Sequence, residues 1–107
     1  MIRVVVERHI KEGQEAEVLK LIREIRGSAL GQPGYISGET LVGYENHSLC
    51  MVISNWESVE HWKAWEDSTQ RKALDDKVAP LLIDEPRITL LKYAEPPYTK
   101  GYYRTFR

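Results

Sequence analysis

The residue types best suited to chemistry fall in the stretch from Asn55 to Trp65, with Glu7 standing apart near the N-terminus. His61 and Trp65 are four residues apart, so a helix through them sets an imidazole and an indole on one face. A neutral imidazole beside a pocket can take a phenolic or benzylic proton. An indole offers a broad face against which a planar substrate stacks. Glu7 lies among valines: facing the helices, burial would raise its pKa and make it a base, whereas facing outward it is an interface or rim charge. Asn55 closes an apolar run and can hydrogen-bond a substrate oxygen or cap a turn. Arg71 can pair with a pocket carboxylate or stand as a solvated helix charge. Each has its plainer alternative: Trp62 and Trp65 fill a thin core, and His61 is a solvated first-turn residue.

Other chemistries lack their residues. Cys50 is the single cysteine, which rules out an intramolecular disulfide and a zinc site built on several thiolates. It reads as a small core hydrophobe with no neighbour to lower its pKa. His9, His47 and His61 have no metal-ligand spacing, and Gly27, Gly31 and Gly34 sit in a turn after a helix, not in a phosphate loop. We therefore expect no metal and no cofactor. Fifteen basic against sixteen acidic residues leave a net charge of −1, which gives no electrostatic footing for nucleic acid. Apolar runs reach four or five residues, far short of the ~20 needed to span a membrane. The expectation is a soluble, cytoplasmic, single-domain protein.

These residues need elements to position them. Ile2 to His9 is a β-branched run with apolar residues on both alternating faces, and predicts a strand covered on both sides. Val18, Leu21, Ile22, Ile25 and Ala29 form one helical stripe between Gln14 and Ser28. Tyr35 to Glu45 and Leu49 to Trp56 predict a hairpin about Asn46-His47. Ser58 is the natural N-cap of a helix carrying Val59, Trp62 and Trp65. Asp67 or Ser68 caps a further piece to Val78, with Ala73, Leu74, Val78 and Leu81 inward. Pro86 precedes a last strand, Arg87 to Tyr93. The order β-α-β-β-α-β is that of a ferredoxin-like α+β domain, a four-stranded antiparallel sheet with helices on one face. With 107 residues the core is thin, and the bare face invites a second copy. We expect residues 1–94 to form this domain, and the aromatic tail, 95–107 with Tyr98, Tyr102, Tyr103 and Phe106, to pack on a partner subunit.

The sequence resembles the antibiotic-biosynthesis-monooxygenase family of dimeric α/β-barrel proteins. The resemblance runs from Ile2 to about Tyr93. Its carriers are the strand Ile2-Arg3-Val4-Val5-Val6-Glu7-Arg8-His9, then Gly13-Gln14-Glu15, the Gln32-Pro33-Gly34-Tyr35 loop, and Trp56-Glu57-Ser58 with Trp62-Lys63-Ala64-Trp65 and Ser68. The family implies a sheet-to-sheet dimer and cofactor-independent oxygenation of phenols, quinols or anthrones. A haem-degrading branch implies an Asn on the first strand, a Trp on the second helix and a His beyond it. Trp65 matches that Trp, but Glu7 stands at the Asn position and Asp75 at the His position. No neutral imidazole is then offered to haem iron at that place.

The sequence thus predicts a homodimeric monooxygenase for a small aromatic molecule, with Glu7, Asn55, His61 and Trp65 as catalytic candidates. The competing expectation is a ligand-binding or assembly module on the same fold.

Overall fold

The computed structural model describes residues 1–95. The expectation for the aromatic tail falls on 96–107 and lies outside them. The elements are β1 (Ile2–His9), α1 (Glu15–Ala29), β2 (Tyr35–Val42), β3 (Leu49–Trp56), α2 (Val59–Glu66), α3 (Thr69–Val78), a 3-10 turn (Ala79–Leu81) and β4 (Arg87–Lys92). The strands form one antiparallel sheet in the order β2-β3-β1-β4. This is the α+β, ferredoxin-like β-α-β-β-α-β arrangement, with the second helical stretch broken into α2 and α3.

The strand period of two decides which side chain meets the helices. On β1, Ile2, Val4, Val6 and Arg8 are buried beneath the helices, while Arg3, Val5, Glu7 and His9 alternate onto the other face. On β3 the helix face carries Cys50, Ser54 and Trp56. Ser54 is tolerated there because its Oγ accepts from Trp56 Nε1 at 3.0 Å. The five-residue stripe of α1 is buried as the periodicity requires, with Glu15 and Glu17 in its first turn and Arg26 in its last. Arg26 also ties α1 to the sheet, donating to the Gly38 carbonyl at 2.7 Å and to Thr40 Oγ1 at 3.1 Å. The core is completed by Trp62, Trp65, Val78 and Leu82.

Three expected details shift. β2 ends at Val42, not Glu45, because the chain turns early: Gly43 N–H donates to the Leu49 carbonyl, and Asn46 Oδ1 accepts from the Ser48 N–H and hydroxyl. β4 ends at Lys92. Ala73 is exposed on α3, since the helix turns Arg71 inward.

Candidate functional site

The four sequence candidates go to three places. Glu7 lies on the sheet face away from the helices, where its Oε2 is 3.2 Å from His9 Nε2; His9 Nδ1 in turn lies 3.1 Å from Asp84 Oδ1. Asn55 lies on the same open face. Its Nδ2 donates to Ser37 Oγ at 3.0 Å and its Oδ1 accepts from the Tyr93 hydroxyl at 3.3 Å. It lines a shallow polar hollow of about 240 Å³ with Arg3, Ser37, Gly38, Glu39 and Ile53.

His61 and Trp65 are on α2, but the imidazole is used in building the helix start. Ser58 is the N-cap: its Oγ accepts from the His61 N–H at 3.2 Å and lies 2.7 Å from His61 Nδ1. The ring sits against Gly34, whose φ of +82° and lack of a Cβ let the loop close there; a Cβ would collide with the imidazole. Trp65 is buried in the core, as is Trp62, which meets Trp56 edge-on with ring centroids 5.8 Å apart. Both plainer readings thus describe part of these residues' surroundings.

Over the two tryptophans lies Arg71, and its solvated reading is corrected here. The residue is 4% exposed, with its guanidinium carbon 5.3 Å from the Trp62 ring centroid and 5.8 Å from that of Trp65. Ser68 starts this geometry by capping α3, accepting from the Arg71 N–H at 3.1 Å. Arg71 Nε then donates to both oxygens of Asp75, at 3.0 and 3.1 Å, one helical turn on.

A second buried guanidinium, Arg8 of β1, approaches the same carboxylate less closely: Nη2 is 3.9 Å from Asp75 Oδ1. Arg8 is 2% exposed, and its Nε has no hydrogen-bond partner. Burial, reinforced by repulsion from Arg71, pulls its pKa below the ordinary arginine range, down to about 10; Asp75 and Cys50 offset part of this. It stays a cation at neutral pH. Beside it opens a cavity of about 340 Å³ between α3, the 3-10 turn and β4. Val78, Ala79, Leu82, Pro86 and Ile88 give it apolar walls, and Asp75, Asp76 and Glu85 complete its lining. That volume falls within the roughly 300–1,000 Å³ of small-molecule sites.

Sequence reasoning passed over Arg8, though a signal was present. Ile2, Val4 and Val6 set the buried phase of β1, and the next residue in that phase is Arg8. A charged residue in register with a buried stripe is the cue that was missed.

Residues 1–77 match the family described as Antibiotic biosynthesis monooxygenase. The chain belongs to this family. SchA of Streptomyces halstedii is 32% identical over 69 residues, which are 64% of this chain and 18% of SchA. The chain spans about a fifth of the length of the curated relatives it matches. A conserved protein from Methanosarcina mazei superposes with a TM-score of 0.80 at 20% identity, covering 85% of this chain and 90% of that one. SnoaB, a cofactor-independent oxygenase from Streptomyces nogalater, superposes with a TM-score of 0.77 at 14% identity, covering 88% and 94%. These two likenesses establish the shared fold.

The residues present do not suit haem. Asp75, at the position of the haem branch's histidine, has both oxygens on Arg71 and offers no imidazole nitrogen. Among the described residues, no group of three or more His, Cys, Asp or Glu is placed to hold a metal ion, and no helix is long and apolar enough to cross a membrane.

Proposed function

We propose that this protein is a cofactor-independent monooxygenase of a small aromatic phenol, quinol or anthrone, acting as a homodimer. The observation that carries the reading is the Arg8 cavity: an apolar-walled space between helix layer and sheet, in a chain of this family. The substrate supplies the electrons. Loss of a proton from an anthrone methylene leaves a carbanion delocalised onto the ring oxygen. That carbanion reduces dioxygen and, on combining with it and a proton, becomes a hydroperoxide, which loses water to leave a carbonyl. The protein's task is to confine the ring, accept the first proton and favour the anion. Asp76 and Glu85 are exposed carboxylates on the cavity lining, suited to accept from ring hydroxyls or take that proton. Positioned acid–base help contributes about 10²–10⁴-fold.

The test is oxygen uptake with a panel of anthrones and quinols. Wild type should exceed buffer by at least about 10²-fold for one member. Ile88→Trp, which fills the cavity, should lose the uptake. His61→Ala should retain it, because that imidazole faces Ser58 and Gly34. Uptake at the buffer rate across the panel sinks the proposal.

One observation favours the alternative of a ligand-binding module without turnover. Arg71 occupies the space over Trp62 and Trp65, so neither indole is offered to a ligand as a free stacking face. Saturable binding of panel members with no oxygen uptake would select this reading.

A further inference from the structure

Arg8 is a cation without an adequate anion. Asp75 is drawn to Arg71 through both oxygens, which leaves Arg8 an ionic contact at 3.9 Å and an unpartnered, buried Nε. A buried charge is expensive unless it is paired and hydrogen-bonded. Two guanidiniums therefore share one carboxylate, and of the two only Arg8 lines the cavity. The outer lining has the opposite sign, from Asp76 and Glu85, both exposed. The lining thus runs from a buried cation, with Asp75 beside it, to exposed carboxylates at the mouth.

That polarity selects a ligand. A permanently anionic molecule is repelled at the mouth. A neutral, planar molecule with hydroxyls at one edge and an oxygen acceptor at the other meets complementary groups at both ends. We propose that Arg8 is the oxyanion-holding residue of this site, and that its ligand is a neutral hydroxylated aromatic ketone, or its phenol tautomer, bound with the ring oxygen toward Arg8. Locating the ligand here rests on the oxygenase reading of the cavity. Arg8 then acts where charge develops: loss of the substrate proton puts negative charge on the oxygen that faces the guanidinium. Arg71 is a positioning residue. Stacked on Trp62 and Trp65, it holds Asp75 away from Arg8 and so keeps the Arg8 charge available.

The test uses 1,2-dihydroxyanthraquinone, whose visible band moves to longer wavelength on ionisation, and the full chain. Titrated from about pH 4 to 9, dye bound to wild type should ionise at least about one unit below free dye, because an adjacent cation favours the phenolate. The charged groups lining the cavity are Arg8 from β1, Asp75 and Asp76 from α3 and Glu85 before β4, and Arg8 itself feels Arg71 and Cys50. Arg8→Met should bind the dye and abolish the lowering, while Arg8→Lys should restore part of it. Ile88→Trp should block binding. Circular dichroism on every variant separates a lost fold from a lost charge, and Arg8→Lys carries the test if Arg8→Met does not fold. The inference is overturned if wild type does not bind the dye, if bound dye ionises like free dye, or if the shift survives Arg8→Met. Oxygen uptake is read separately: a shift that depends on Arg8 without uptake sinks the oxygenase reading and leaves this one, whereas uptake without the shift does the reverse.

Discussion

Arg8 sets stability against function within a single side chain. A guanidinium held at 2% exposure, with its closest carboxylate oxygen 3.9 Å away, recovers little of its desolvation cost. Removing one member of a buried ion pair ordinarily costs 3–5 kcal/mol, because the other member is left buried and unpaired. Here that penalty does not arise, since Asp75 is 42% exposed and keeps Arg71. Arg8→Met should therefore be as stable as wild type or more stable, by up to about 3 kcal/mol, in urea denaturation. The pH dependence has a definite sign. The folded pKa of about 10 lies below the ordinary arginine value of an unfolded chain, so above about pH 10 the unfolded chain binds more protons and wild type gains stability as the pH rises. The advantage of Arg8→Met should thus be full below about pH 9 and shrink as the pH climbs through 10. A loss of several kcal/mol at neutral pH would mark Arg8 as structural. Cys50 gives a second test. It is fully buried, and burial raises its thiol pKa, so iodoacetamide at about pH 8 should label it only in denaturant. At this scale the sequence was half legible. Cys50 follows from its place in an apolar strand. Arg8 and Arg71 do not follow from residue type, because the usual prior puts arginine in water and only the phase of the surrounding pattern argues otherwise.

The junction between the β2 loop and α2 is where element geometry is most tightly specified. Gly34 accepts from the Glu57 N–H at 2.8 Å and presses on the ring of His61, whose own N–H is capped by Ser58. Gly34→Ala brings both a left-handed φ and a collision with the imidazole, so it should cost about 2–4 kcal/mol. Adding His61→Gly removes both the ring and the Cβ that a Gly34 side chain would strike, and leaves the backbone strain. The double mutant should recover at least about 1 kcal/mol relative to additivity, measured by a denaturation cycle. Strict additivity would mean that the loop and helix do not meet as described. Element boundaries were readable wherever a side chain writes them: Ser58 and Ser68 at helix starts, the α1 stripe, and the β-branched run of β1. They were less readable where hydrogen bonds made within a turn decide, as at Gly43 to Ser48. The candidate site suffered most. Closeness in sequence and family position do not bring its residues together, because the pleat sends Glu7 and Asn55 to the face opposite the cavity.

At the scale of the whole molecule, the helices cover one face of the sheet and leave the other open. An antiparallel sheet that meets water ordinarily presents polar residues there. This face instead centres on Val5, Met51 and Ile53, with Leu41 and Leu91 exposed at 46% and 47%. The adjacent charges come in both signs, Arg3 lying 3.6 Å from Glu39, and Glu7 pairing with Arg87 in the sheet register. An apolar centre with a rim of mixed sign is self-complementary under a two-fold axis, which is what a symmetric dimer requires. A second copy would also close over the hollow that holds Asn55 and exclude water from its hydrogen bonds. Light scattering of the full chain at micromolar concentration should therefore give twice the 12.4 kDa of one chain. Val5→Glu places a charge at the middle of the face without touching the helix-side core, and should return the mass to that of one chain with an unchanged circular dichroism spectrum. Because the Arg8 cavity opens on the helix side, this monomer should still bind 1,2-dihydroxyanthraquinone with the Arg8-dependent shift. A wild-type monomer would remove the second copy from the account. A Val5→Glu monomer without the shift would show that the cavity depends on the dimer, and that the two faces of the sheet are coupled.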